Sequence, residues 1–250
     1  MPPREYNIEV PQSVLDDLRD RLSRTRWPHP LVGAEWDYGA NVEYVRELCR
    51  YWAEEYDWRE HENRLNVYPQ FLCEVDGVDL HYWHIKGKGP APFPLLLLHG
   101  WPGSPYEFLH ELVGPLSDPA AYGGEAADAF DLIIPSLPGY GFGGQPAVRG
   151  WGAARVADAF HTLMTVELGY ERFGSQGGDW GAMISANMAS RYPADVAGIH
   201  INFVFLPGPF GWVPQCDPET MRRLQAFDAR EGAYAHLHST KPDSLTIAQS

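Results

Sequence analysis

The segment Ser175-Gln176-Gly177-Gly178-Asp179-Trp180-Gly181 sets one acid between glycines two residues before it and two after. A strand pattern precedes it and a helix pattern follows, which is the layout of a nucleophile elbow. Such a turn is so sharp that its central residue takes strained backbone angles and its neighbours must lack bulk, and the central side chain is lifted above the sheet. Taken as dipeptides alone, Gly-Gly-Asp is a plain turn with a solvated carboxylate; the flanking strand and helix favour the elbow. Asp at the centre disfavours a serine esterase or lipase, because an aspartate nucleophile attacks an sp3 carbon and forms an alkyl ester, where serine would form an acyl ester. A second loop, His99-Gly100-Trp101-Pro102-Gly103-Ser104, directly follows four consecutive leucines. By itself His99-Gly100 ends a strand. Beside Asp179, at the tips of successive parallel strands, it reads as the other wall of a ligand crevice.

The elements that must position these loops are legible in the spacing. Leu95 to Leu98 and Phe130 to Ile134 are short apolar runs of the kind buried on both faces of a parallel sheet. Helical periodicity covers Val156 to Leu168 and Ala182 to Arg191, and strand patterns cover Arg172 to Ser175 and Val196 to Phe203. This alternation predicts right-handed βαβ crossovers and an α/β fold with a mostly parallel, doubly wound sheet. Upstream, Phe71 to Val75 and Val78 to Ile85 are strands joined by Asp76-Gly77, a strong hairpin signal, and the sheet is expected to begin there. Two amphipathic helices come first. One opens on Ser13 with Asp16 three residues later, an acidic variant of the capping box, and stops at Arg26-Trp27-Pro28. The other starts near Asn41 with Val42, Val45, Leu48, Cys49 and Trp52 on one face. The expected organisation is an N-terminal helical extension (1–68) laid against an α/β core (69–206), then the beginning of a helical cap (207–250) after Pro207-Gly208-Pro209.

Composition bounds the function classes. The 250 residues hold 19 Lys and Arg against 33 Asp and Glu, a formal net charge of −14, which argues against nucleic acid or an anionic membrane as the main partner. Hydrophobic residues make up 44% and charged residues 21%, values of an ordinary folded domain with one large core. No run of about 18 apolar residues could span a bilayer, and Met1-Pro2-Pro3-Arg4-Glu5 offers no signal segment; the expectation is a cytoplasmic protein without a membrane anchor in this chain. Cys49, Cys73 and Cys216 fit neither a disulfide framework nor a zinc site and are expected to be reduced packing residues.

On Thr25-Arg26-Trp27-Pro28, the loop from His99 to Ser104, the segment Pro135-Ser136-Leu137-Pro138-Gly139-Tyr140-Gly141-Phe142 and Gly177-Gly178-Asp179-Trp180-Gly181, the chain resembles the microsomal-type epoxide hydrolases of the α/β-hydrolase superfamily over essentially all its residues. The resemblance implies a small-molecule epoxide as substrate and a two-step reaction. Asp179 opens the epoxide to a hydroxyalkyl ester, and an activated water then hydrolyses that ester through a tetrahedral intermediate held by the backbone N–H groups of Trp101 and Trp180. His99, Gly100, Pro102, Gly177 and Gly181 support those two motifs. Glu231-Gly232-Ala233-Tyr234 with Thr240-Lys241-Pro242 resembles the cap segment carrying a tyrosine that hydrogen-bonds the epoxide oxygen, which assigns that role to Tyr234; a phenol with a pKa near 10 remains a donor at neutral pH. No cofactor is implied, and no metal: His236 and His238 stand i, i+2 on a helix and point to different faces.

In that family the general-base histidine, the acid that orients it and a second tyrosine lie beyond the cap, whereas this sequence reaches Ser250 soon after Tyr234. After Asp179 come only His200, read as a strand residue, and His236 and His238, read as cap-helix surface. The expectation is a chain that forms the ester and hydrolyses it poorly. An exposed sheet edge that invites aggregation is expected as well. Two other readings stand beside it: an Asp-nucleophile dehalogenase, with the Trp180 indole donating to a leaving halide, and a catalytically dead binding protein that keeps the fold. Trp101, Tyr106, Tyr140, Trp151 and Trp180 suggest an aromatic-lined cavity.

Overall fold

The computed structural model describes residues 2–203 and 217–244. In chain order it contains β1 (Arg4–Tyr6), α1 (Gln12–Ser23), α2 (Val42–Glu54), α3 (Trp58–Leu65), β2 (Gln70–Val75), β3 (Val78–Ile85), β4 (Phe93–Leu98), α4 (Tyr106–Leu109), α5 (Val113–Ser117), β5 (Phe130–Pro135), α6 (Ala153–Thr162), β6 (Phe173–Gly177), α7 (Trp180–Arg191), β7 (Val196–Ile201), α8 (Pro218–Glu231) and α9 (Ala233–Thr240). The chain divides into two compact units, residues 1–204 and 205–250. Cys216 and the Pro207-Gly208-Pro209 boundary lie outside the described residues.

The seven strands form one sheet in the order β1-β2-β3-β5-β4-β6-β7. The four strands from β4 onward pair in parallel and the first three join them antiparallel, so the sheet is mixed, with the parallel half under the two chemistry-bearing loops. It begins at Arg4 and not at Phe71, because β1 pairs with β2 through Arg4↔Leu72 to Tyr6↔Gln70. The hairpin forms where its turn chemistry requires: Asp76 and Gly77 both have positive φ, 51° and 76°. Leu96, Leu97 and Leu98 are fully buried. Leu96 and Leu98 pack under α6 and α7 with Phe160 and Met188, and Leu97 packs on the other face with Phe108 and Val113. Burying each of these leucines contributes roughly 1.5–3 kcal/mol, and the alternation holds β4 in register between its neighbours.

The N-terminal segment differs from expectation in three ways. Ser13 caps nothing: α1 starts one residue earlier, with Pro11 at its N-cap and no side-chain cap bond, and Asp16 accepts a hydrogen bond from Gln12. Asn41 does cap α2, accepting from Glu43 and Tyr44 N–H. No residue of α2 is buried, however; the helix packs on α1 and leaves Leu48 50% and Trp52 44% exposed. The segment is instead tied to the core by β1, and Glu62 of α3 holds the segment to itself, its carboxylate accepting from Val10 N–H, the Trp58 indole and Arg59. Burial alone would raise the Glu62 carboxyl, but these donors outweigh it and hold the carboxyl below its usual range. Cys73 is buried in the core and Cys49 half-buried, both as free thiols.

Two buried histidines on β3 tie stability to pH. Desolvation lowers His81 to about 4, and desolvation with the nearby Lys86 charge lowers His84 to about 4. Both are neutral in the folded chain and near 6.5 when unfolded. Unfolded chains therefore take up protons that folded ones refuse between pH 6.5 and 4. This contribution to stability is complete above pH 6.5 and is lost as the pH falls through that window, at up to about 3 kcal/mol per histidine. Urea denaturation at pH 7 and pH 4.5 should show the loss, with part of it recovered in His84→Gln; equal midpoints at the two pH values would contradict the assignment.

Candidate active site

Register brings the two loops together. β4 and β6 are parallel neighbours with Leu98 opposite Gly177, so the residues that follow, 99–101 and 178–179, leave the sheet side by side. β5 runs parallel to β4 on its other flank, which delivers Ser136 and Leu137 to the same end, and β7 pairs with Gly177 through Ile201. These are the carboxyl ends of the parallel strands, where an open α/β sheet offers its crevice.

Asp179 has φ 49° and ψ −122°, a conformation rare for a residue with a side chain. It stands at the N-cap of α7 but makes no side-chain cap bond there. Its Oδ1 accepts a hydrogen bond from Trp101 N–H at 2.8 Å. Gly100 permits this approach, since a Cβ on it would lie 2.4 Å from Asp179 Oδ1. Trp180 is the first residue of α7, so its N–H is among those that the helix cannot satisfy internally. His99 is buried and both ring nitrogens are engaged: Leu137 N–H donates to Nε2 at 3.0 Å, which leaves Nδ1 to donate to the Gly100 carbonyl at 3.0 Å. Burial lowers the His99 pKa, keeping the ring neutral.

A cavity of about 360 Å³ opens over Asp179, lined by Trp101, Glu107, Phe108, Gln176, Asn202 and Phe203 among others. Two of these groups escaped sequence reasoning. Glu107 stands three residues after Ser104 beside the start of α4: Ser104 Oγ accepts from Tyr106 N–H, and the Glu107 carboxyl interacts with Ser104 N–H. Burial, with the Asp179 charge as a further cause, pushes the Glu107 carboxyl up. The Ser-x-x-Glu spacing was the available signal. Gln176 Oε1 is buried beside the cavity with no hydrogen-bond partner among the described residues.

The expected aromatic lining is only partly realised. Trp101 lines this cavity, but Tyr106 belongs to a separate one of about 290 Å³ with Trp58, Trp83 and Phe142. Tyr140 and Trp151, on loops, and Trp180, at the start of α7, pack against the hydrophobic core. Phe108 and Phe203 take their place. Tyr234 lies on α9 of the second unit, half exposed, with its ring edge-on to His238. His200 is an exposed residue of β7, and His236 is exposed on α9. Among the described residues no helix is long and apolar enough to cross a membrane.

Residues 3–108 match the family described as Epoxide hydrolase N terminus, and residues 94–225 match the alpha/beta hydrolase fold. Epoxide hydrolase 1 of Oryctolagus cuniculus is 34% identical over 267 residues, covering 98% of this chain and 58% of the relative. A Stigmatella aurantiaca (strain DW4/3-1) protein bearing an epoxide hydrolase name is 42% identical over 246 residues, 97% of this chain and 56% of its own. The crystal structure of juvenile hormone epoxide hydrolase from the silkworm Bombyx mori superposes with a TM-score of 0.84 at 33% identity, over 98% of this chain and 62% of that one. The chain therefore spans a little over half the length of these curated relatives. With the α/β-hydrolase match covering most of the sheet and the N-terminal match covering everything before it, the chain belongs to the epoxide hydrolase family of the α/β-hydrolase fold.

Proposed function

We propose that Asp179 opens an apolar epoxide by forming a covalent ester, the first half of epoxide hydrolysis to a vicinal diol. The observation that carries this reading is the Asp179 carboxylate, raised on a strained turn, with one oxygen held by Trp101 N–H. Oδ1 is occupied by that donor, so Oδ2 is the atom that attacks the ring carbon. The new C–O bond forms as the ring C–O bond breaks, and the ring oxygen leaves as an alkoxide that must be protonated. Tyr234 is the proposed hydrogen-bond donor to that oxygen. The ester then retains Oδ1 as its carbonyl oxygen. Attack of water puts the negative charge on Oδ1, where Trp101 N–H already points and Trp180 N–H is the proposed second donor.

The base for this second step is not His99. Its Nε2 accepts from Leu137 and its Nδ1–H is given to Gly100, so neither nitrogen can take a proton from water without breaking the loop. Among the described residues, the histidines that follow Asp179 are the exposed His200 and His236, and His238 on α9. We infer that these 250 residues on their own accumulate the ester. Incubation with styrene oxide followed by intact-protein mass spectrometry is expected to show a mass increase of one epoxide per chain. Folded protein that gains no mass would overturn the reading, and mass gained from haloalkanes alone would replace it with dehalogenation.

A further inference from the structure

A line of hydrogen bonds, part-buried at its two ends and buried between them, runs from the N-terminal segment to Asp179. Asn66 Oδ1 accepts from Ile8 N–H at 3.0 Å and Asn66 Nδ2 donates to Ile8 carbonyl at 2.8 Å. Gln70 Nε2 donates to Asn66 Oδ1 at 2.8 Å and to Leu65 carbonyl at 3.1 Å. That use of the amide leaves Gln70 Oε1 as an acceptor for His81 Nε2, 3.0 Å away. His81 Nε2 therefore carries the proton, and the bare Nδ1 accepts from Ser136 Oγ at 3.0 Å. Ser136 is clamped twice by one residue, because its N–H also donates to His81 carbonyl at 2.8 Å. The next residue, Leu137, gives its N–H to His99 Nε2, and His99 Nδ1–H holds the Gly100 carbonyl. The Gly100 carbonyl and Trp101 N–H belong to the same planar peptide unit, so fixing one end aims the other at Asp179 Oδ1.

We propose that His81 is a positioning residue for the Asp179 reaction, passing the anchorage of the N-terminal segment through Ser136 and His99 to the peptide whose N–H holds the nucleophile. This rests on the epoxide-opening reading given above and adds a role for residues far from the cavity. His81 is fully buried, with Tyr6, Trp83 and Phe142 packed edge-on around the ring. Desolvation keeps it neutral down to about pH 4, so it serves as one donor and one acceptor throughout the neutral range. Phe at this position keeps the aromatic packing and removes both bonds.

The test compares His81→Phe, Ser136→Ala and Ser136→Thr with Val196→Ala, a core truncation remote from the line of bonds. Two quantities are read on folded protein: the rate of styrene oxide adduct formation at saturation with its half-saturating concentration, and the imidazole 15N shifts of His99. His81→Phe and Ser136→Ala are expected to slow the saturated rate about 10- to 100-fold with the half-saturating concentration unchanged, and to lose the Nδ1–H tautomer signature of His99. Ser136→Thr, which keeps the hydroxyl, and Val196→Ala retain both. A wild type that forms no adduct defeats the epoxide reading, and the His99 signal then decides the relay by itself. A wild-type saturated rate and an unchanged His99 signal in His81→Phe overturn the relay while leaving the epoxide reading intact.

Discussion

Asp179→Ala is expected to abolish the styrene oxide adduct, a loss of at least about three orders of magnitude in rate, while the chain stays folded. The reaction has no substitute for the missing oxygen. Glu107 is the other carboxyl of the cavity, but it is engaged with Ser104 N–H, and burial and the Asp179 charge push it toward the protonated, non-nucleophilic form. The stability change is small because its parts oppose one another. Trp101 N–H loses its acceptor, which costs about 1–3 kcal/mol if water cannot replace it. Removing the Asp179 charge relieves Glu107, whose carboxyl returns toward its ordinary range. Ala at φ 49° and ψ −122° keeps a strained backbone, as Asp does. Intact mass and a denaturation midpoint on the same sample check both halves. An adduct that persists in Asp179→Ala would move the chemistry to another side chain, and peptide mapping would name it.

What the residues disclosed beforehand follows from the range of the interactions involved. The elbow, the hairpin turn at Asp76-Gly77 and the Asn41 cap depend on residues within four positions of one another, and backbone sterics confine them to few conformations. The apolar run of Leu95 to Leu98 could be placed because its neighbours must bury both faces. β1 escaped because three residues, Arg-Glu-Tyr, carry no alternation; its pairing with β2 becomes favourable only once the hairpin exists. α3 escaped because Trp58 to Leu65 is polar at nearly every position and is held by Glu62, whose partners include a residue 52 positions upstream. The same distance hides the His81 line of bonds: Gln70, His81 and Ser136 come from β2, β3 and the loop after β5, and no spacing rule joins them. The Ser13 capping box misleads because α1 already begins at Gln12, so Ser13 lies inside the helix and caps no N–H.

Gly181→Ala is the second large effect, and its cause lies in the backbone. A Cβ on Gly181 would sit 2.1 Å from the Leu98 carbonyl oxygen and 2.7 Å from its carbon, and a Cβ on Gly177 would sit 2.2 Å from the Gly181 carbonyl carbon. The start of α7, the end of β6 and the end of β4 are therefore in contact backbone to backbone, with no flexible side chain able to give way. One methyl must displace either α7 or β4. Overpacking of this kind costs about 3 kcal/mol, which for a chain of this size lowers Tm by roughly 6–12 °C. Displacing α7 also moves Asp179 and Trp180 relative to Trp101, so adduct formation falls by more than about 100-fold even at temperatures where the variant is folded. Gly198 on β7 is the control: a Cβ there meets nothing within 4 Å, and Ala at that strand position is neutral or stabilising by a few tenths of a kcal/mol. If Gly181→Ala melted with Gly198→Ala and formed adduct as fast, the tight crossing would not be what holds Asp179 above the sheet. If only Gly181→Ala loses both, the small residues flanking the acid are explained by one contact. They let a helix begin directly on a neighbouring strand, and the residue at that corner has nowhere to point except into the cavity.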